Sequence, residues 1–329
     1  MTKYLIALLL PCLAAAPAWA LDRAEYVRLG TSVLRIEVPR AAGGYALGSG
    51  VAVDSDKVVT NCHVTRDASE IRVVRGGVRR PVAAQASDLE RDLCLLLVPG
   101  LQAPAVSIGR AADLAVGQTV TALGFTGGMG MQSSQGEVVE LHRHDGSRVI
   151  QSTNWFSSGA SGGGLFDDQG RLVGVLTFRL RGGEVHYFSA PAEWVQQLLD
   201  GSEPARFAKV MPLGGAVPYW QAAVAAQPRF LQASSLQHDA RWNELEAVAR
   251  AWARSDPDDP EPWHLLGAAL EQLDRLPEAR HALECCLGLA PEHAAARAQL
   301  AGLMQRRQRA EASMAGDMTT CQIDTPRTP

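Results

Sequence analysis

The sequence lacks the features that would assign it to several large functional classes. It has no low-complexity tract and no basic excess: 31 Lys and Arg face 35 Asp and Glu, for a net charge of −4. That balance offers no clustered basic face, so nucleic acid is excluded as a partner. The one pronounced apolar stretch, Tyr4–Ala16, is shorter than the roughly 20 residues a spanning helix needs and is interrupted by Pro11. Lys3 ahead of it and Ala18-Trp19-Ala20 behind it give a basic, apolar, small-x-small order instead. Residues 1–20 are therefore expected to be a signal peptide cleaved after Ala20, leaving a periplasmic or secreted protein with no stable membrane anchor. Pro11 before Cys12 argues against a lipoprotein site. Cys62, Cys94, Cys285, Cys286 and Cys321 then remain, and an odd number excludes a complete disulfide framework.

What is present divides the chain in two. Glycine and β-branched residues crowd the first 190 positions; Ala, Leu, Arg and Glu dominate after about 220. Short β-rich runs broken by Gly, Asp and Asn include Ser32–Val38, Tyr45–Val53, Lys57–Thr60, Ile71–Val74 and Leu93–Val98. Thr119–Phe125, Gly136–Leu141, Val149–Thr153, Arg171–Phe178 and Val185–Phe188 follow. Their number and spacing predict a pair of small antiparallel barrels joined near Gly100–Asp113. Ala192–Asp200 reads as an amphipathic helix closing this domain, assigned to residues 21–200. Gly201–Val217, rich in Pro and Gly, reads as a linker.

From 218 to 308 the period becomes helical. Ala240–Pro260 is similar to Asp274–Ala294 at an offset of 34 residues, with Arg241 matching Arg275, Glu244 matching Glu278 and Pro257 matching Pro291. With Trp263, Leu266, Gly267, Leu270, Ala279, Leu283 and Pro291, the second unit resembles a tetratricopeptide (TPR) repeat. The expected class is thus multidomain β plus α: a double antiparallel barrel followed by a short all-α hairpin array and a disordered tail over 309–329. Cys285 and Cys286 fall in this helical pattern as small apolar fillers. His264, His281 and His293 read as surface or groove residues. A TPR groove would bind a protein or peptide partner. If the modules are separable, deleting 218–329 should spare small-peptide hydrolysis.

Three segments carry candidate chemistry: Gly48–Val53 with Val58–Val64, Ser87–Leu96, and Ser157–Phe166 with Gly170–Leu176. A serine hydroxyl needs an imidazole to take its proton, and the imidazole needs a buried carboxylate to hold its tautomer. Backbone N–H groups must meet the oxyanion, and glycines beside the serine let the chain turn inwards. His63 is accordingly the candidate base, Asp92 its partner and Ser161 the nucleophile, with the amides of Gly159 and Ser161 as oxyanion hole. Asp92 is preferred to Asp88 because it opens the apolar run Leu93–Val98. A G-x-S-x-G elbow is excluded because strand, not helix, follows the serine and because histidine and aspartate precede it.

Together these segments resemble the trypsin-like serine peptidases, in particular the bacterial HtrA/Deg-type branch, over roughly residues 25–200. Ser107–Arg110, Val116-Gly117, Ala122–Phe125 and Phe188–Pro191 extend the likeness. The resemblance implies a serine endopeptidase acting on protein or peptide without a cofactor. It also implies that the strand around Tyr187–Ala190 pairs with substrate. Trp155, Phe156, Tyr187, Phe188, Ser189 and Ala190 would then give an apolar specificity pocket. Two departures stand out. Ala160 replaces the family's asparagine before the nucleophile, and the helical module stands where a PDZ domain is usual. They motivate the alternative of a catalytically inactive, peptidase-fold TPR adaptor. Cys62 and Cys94 each neighbour a candidate catalytic residue, and the sequence leaves open whether they are bonded or are buried free thiols. His142 and His144 read as exposed strand-end residues, and no metal site is expected.

Overall fold

The computed structural model describes residues 23–40, 43–127, 130–180, 187–201 and 206–318. The expected signal peptide lies outside these residues. A short helix, α1 (Arg23–Gly30), leads into β1 (Val33–Pro39), β2 (Tyr45–Ala52) and β3 (Lys57–Asn61). One helical turn, α2 (Cys62–Thr65), precedes β4 (Arg72–Arg75), β5 (Val78–Pro81), β6 (Ala84–Asp88) and β7 (Leu93–Leu97). The second half holds β8 (Thr119–Phe125), β9 (Met131–His144), β10 (Ser147–Ser152), β11 (Gly164–Phe166), β12 (Leu172–Arg179) and β13 (Tyr187–Pro191), closed by α3 (Ala192–Asp200).

Of the two barrels the sequence suggests, one closes. β8–β13 form a closed six-stranded barrel, whereas the first half, joined by a short strand β14 at Ala208–Lys209, is an open eight-stranded sheet in the order β14-β6-β7-β3-β2-β1-β4-β5. Its outermost strand, β14 (Ala208–Lys209), comes from the segment read as a linker. That reading followed from Pro and Gly content, but the segment is pinned to the first sheet. Ala208 and Lys209 pair with Gln85 and Ala84, the Leu213 amide donates to the Arg66 carbonyl at 2.7 Å, and Tyr219 donates to the Glu90 carbonyl at 3.0 Å.

Five helices follow: α4 (Arg229–His238), α5 (Trp242–Ser255), α6 (Glu261–Gln272), α7 (Leu276–Leu289) and α8 (Ala294–Met318). The 34-residue period is written in their turns. Ala240 and Asp274 both adopt positive φ, at 54° and 58°, and Arg241 and Arg275 each bond the glutamate three residues on. Gly267 has no room for a side chain because a Cβ would lie 2.7 Å from Leu283, so α6 and α7 approach closely there. The last helix runs to Met318, past the point where a disordered tail was expected; its Ala, Gln and Arg content favours helix. Among the described residues no helix is long and apolar enough to cross a membrane.

The helices dock on the closed barrel through β9. His142, expected to be exposed, is buried, with Nδ1 2.6 Å from Glu261 Oε1, Nε2 2.9 Å from Gln151 Oε1, and its ring stacked on Phe230 at 4.5 Å. Glu140 on the same strand lies 3.5 Å from His293 and 4.0 Å from His264, so these two are junction residues rather than surface ones. These three offer ligand atoms within 4.8 Å of one another. His293 Nδ1 accepts the Ala296 N–H at 3.2 Å, which puts the ring proton on Nε2, facing Glu140.

Candidate active site

Strand ends deliver His63 and Asp92, and a glycine-rich loop delivers Ser161. β3 runs straight into α2, placing His63 two residues past the sheet. Asp92 sits in the turn before β7 with φ 60°, a left-handed conformation that aspartate tolerates better than most residues. Its carboxylate is fully buried. Oδ1 accepts the His63 backbone N–H at 2.8 Å, and Oδ2 lies 2.6 Å from His63 Nδ1. A carboxylate only accepts, so Nδ1 carries the ring proton and Nε2 is left with a free lone pair. The Asp92 carbonyl is held as well, by the Cys62 amide at 3.1 Å and Asn61 Nδ2 at 3.0 Å. Asp88, the discarded acid, caps the Arg91 amide at 3.1 Å.

Cys62 and Cys94 are bonded, with Cα atoms 4.9 Å apart. The bridge ties the residue before His63 to the strand that begins after Asp92. Thr60 and Asn61 already pair with Cys94 and Leu93 across β3 and β7, so the two catalytic ends are fixed both covalently and by a sheet ladder.

Ser161 lies on the loop between β10 and β11. Gly159 there has φ 100°, and a Cβ would stand 2.7 Å from the Phe125 carbonyl oxygen. At Gly162, with φ 85°, a Cβ would overlap the Ser49 carbonyl and the Thr60 hydroxyl. Only glycine suits both positions. Among the described residues, the amides of Gly159 and Ser161 donate to no protein group. The Ser161 hydroxyl donates to the Thr177 carbonyl at 3.5 Å. Ala160 is buried in the core of the closed barrel, where an amide side chain would need partners.

Three further residues support the site and were not singled out from sequence. Ser49, fully buried, donates to the Gly159 carbonyl and accepts from the Phe125 amide, both at 2.7 Å, while its own amide holds the Ser161 carbonyl at 2.8 Å. Thr177 accepts from Asn61 Nδ2 at 3.3 Å. Trp220, from the segment that leads into the helices, donates from Nε1 to Asp92 Oδ2 at 3.2 Å. The Gly48-Ser49-Gly50 spacing hinted at Ser49; nothing in the local sequence marks Trp220.

The expected substrate strand is corrected. Tyr187–Ala190 lies in β13, hydrogen-bonded to β10 on one side and β12 on the other, and all four residues are buried. Phe188 is sealed against Phe178 at 4.7 Å, so none of Tyr187, Phe188, Ser189 and Ala190 offers an edge to a peptide. Trp155 and Phe156 do line, with Ala160 and Leu176, a 40 Å³ cavity beneath the nucleophile loop, and Trp155 is half exposed. Among the described residues, the free edge belongs to β12. Its pairing with β11 ends at Val175, and Thr177 next to that point holds Ser161.

Residues 48–175 match the trypsin-like peptidase domain family. The chain carries a trypsin-like peptidase domain. Over 151 residues it is 35% identical to a probable periplasmic serine endoprotease DegP-like of Ectopseudomonas mendocina (strain ymp), covering 42% of this chain and 32% of that protein. Over 190 residues it is 32% identical to Protease Do-like 1, chloroplastic, of Arabidopsis thaliana, covering 53% and 42%. The matched region thus spans only 32% and 42% of these relatives' own length. Among solved structures, HtrA-type protease AlgW with tripeptide superposes with a TM-score of 0.50 at 25% identity, over 54% of this chain and 61% of that one. The Rv3671c protease from M. tuberculosis, active form, gives 0.51 at 23% identity, over 64% and 99%, and shows the fold alone. Helices α4–α8 and the segment that contributes Trp220 lie beyond the residues matched by the family.

Proposed function

We propose that the protein is an exported serine endopeptidase that hydrolyses peptide bonds with His63, Asp92 and Ser161. The observation that carries this reading is the double hydrogen bond from His63 to the buried Asp92 carboxylate, which fixes the tautomer that makes Nε2 a base. In the reaction the Ser161 hydroxyl turns from Thr177 to His63, gives up its proton to Nε2 and attacks the scissile carbonyl. The oxyanion that forms is met by the amides of Gly159 and Ser161. His63 returns the proton to the leaving amine, and water repeats the sequence to release the acyl group. A substrate backbone adds along the free edge of Thr177–Arg179. The small cavity at Trp155 and Phe156 favours modest apolar side chains. Export is supported by the basic, apolar, Ala-x-Ala order of residues 1–20 and by the periplasmic relatives. The 34-residue turn geometry supports TPR-type repeats, whose groove would take a protein or peptide partner.

The test is to incubate the mature chain with an unfolded protein and to identify products by mass spectrometry. Internal cuts that disappear with Ser161→Ala are expected. Intact substrate, or cuts only from chain ends, would contradict an endopeptidase.

A further inference from the structure

The Trp220 contact extends the active site beyond the peptidase domain, and this inference rests on the triad reading above. Three donors converge on the two Asp92 oxygens: the His63 amide on Oδ1, and His63 Nδ1 with Trp220 Nε1 on Oδ2. A buried carboxylate needs its lone pairs filled, and a donor that competes for Oδ2 from a fixed direction also fixes where the imidazole must lie. The indole edge abuts the His63 ring, with centroids 5.6 Å apart at 84°.

Trp220 is itself held rigidly. Its ring stacks on Phe178 at 4.9 Å and 8°, and Phe178 stacks on Phe188 at 4.7 Å and 6°. Phe188 in turn meets His142 at 5.7 Å, and His142 stacks on Phe230 of α4. A continuous column of rings therefore runs from the base of the triad to the first helix of the module. The backbone around Trp220 is pinned as well: Gln227 Nε2 donates to the Trp220 carbonyl at 3.2 Å, and the Tyr219 amide to Glu90.

We propose that Trp220 is a positioning residue for the triad, its indole N–H completing the hydrogen bonding of Asp92, so that the segment entering the helical module finishes the peptidase active site. The expectation that residues 218–329 can be removed without loss of small-peptide hydrolysis is reversed by this placement.

The experiment uses the full mature chain carrying Trp220→Phe, which keeps a ring on Phe178 and removes only the N–H donor. Loss of a hydrogen bond to a charged acceptor predicts a fall in kcat of about tenfold to a hundredfold with KM within about twofold. The low-field proton resonance of His63 Nδ1–H should shift. Replacing the indole with benzothiophene, isosteric but without N–H, should reproduce the loss should Trp220→Phe fold poorly, and 5-fluorotryptophan at this position should restore activity. Unchanged kcat and resonance would overturn the proposal, as would a rise in KM alone, which marks a substrate contact. Faster hydrolysis would overturn it too, since that marks a ring blocking the cleft. A folded wild type without hydrolysis would overturn the peptidase reading itself, and this proposal with it.

Discussion

Alanine in place of Ser161 or His63 should lower kcat by about 10⁶-fold, and asparagine in place of Asp92 by about 10⁴-fold. The order follows from what each group touches. In the proposed mechanism Ser161 forms the covalent bond and His63 moves the proton, so losing either removes the same pathway, and the double variant should be no worse than either single one. Asp92 acts through His63. Its two oxygens accept three N–H groups, and an asparagine offers one oxygen and one NH₂ in the same space. Turned with its NH₂ towards Nδ1, the amide drives the imidazole towards the tautomer with its proton on Nε2; turned the other way, the NH₂ meets the His63 backbone N–H instead. Steady-state kinetics on one peptide substrate, with unfolding curves to show that each variant is native, would check this. An Asp92→Asn loss under tenfold would mean that the carboxylate does not set the tautomer.

The second large effect concerns the junction. Glu261→Ala should destabilise the docked helices by about 3–5 kcal/mol, because it leaves His142 buried without its partner. His142→Phe combined with Glu261→Leu should recover most of that loss, since an apolar pair of similar volume avoids the desolvation. Urea unfolding followed by tryptophan fluorescence reads both. A Glu261→Ala effect under about 0.5 kcal/mol would place the pair in the class of exposed ion pairs.

The same junction sets a pH profile. Burial pushes the Glu261 carboxyl up to about 7. Burial alone would lower His142, but the charges of Glu261 and Glu140 outweigh it and hold it above its ordinary value; His293 is raised against burial by Glu140. Stability from these raised groups is lost as pH rises through about 7. Two groups run the other way. Burial pushes His264 down to about 4, while Glu140, despite burial, is drawn down to about 2 by the His293 hydrogen bond and the neighbouring histidine charges. Their stability is lost as pH falls. Between the ordinary carboxyl value of 4.5 and the ordinary histidine value of 6.5, the extra proton on Glu261 offsets the one His264 refuses. The junction contribution should therefore be flat over that interval and fall on either side.

How far the sequence carried depends on where each contact is made. His63, Asp92 and Ser161 could be proposed from sequence because each lies in a local pattern of strand end, polar turn or glycine loop that spans only a few residues. Most strands were legible as short β-rich runs bounded by Gly, Asp and Asn. Gly164–Phe166 was too short to show a period, and Ala84–Asp88 carries no β-branched residue. The errors lie in long-range contacts. The linker reading rested on composition, and the pairing of Ala208 and Lys209 with β6 is invisible to composition. His142 looked like an exposed strand-end residue because its partner is 119 positions away on another domain, and Trp220 meets Asp92 across 128. The substrate strand was misplaced by one hairpin arm: Val185–Phe188 and Arg171–Phe178 read alike as apolar strands, and only register shows which has a free edge.

The central claim is that Ser161 is a nucleophile activated by His63. Labelling of the folded mature chain by a fluorophosphonate probe tests it most directly, with Ser161→Ala and His63→Ala alongside. The account predicts one adduct on Ser161 in the wild type and none in either variant. A folded wild type that remains unlabelled, or that labels equally without His63, would contradict it and favour an inactive peptidase-fold adaptor.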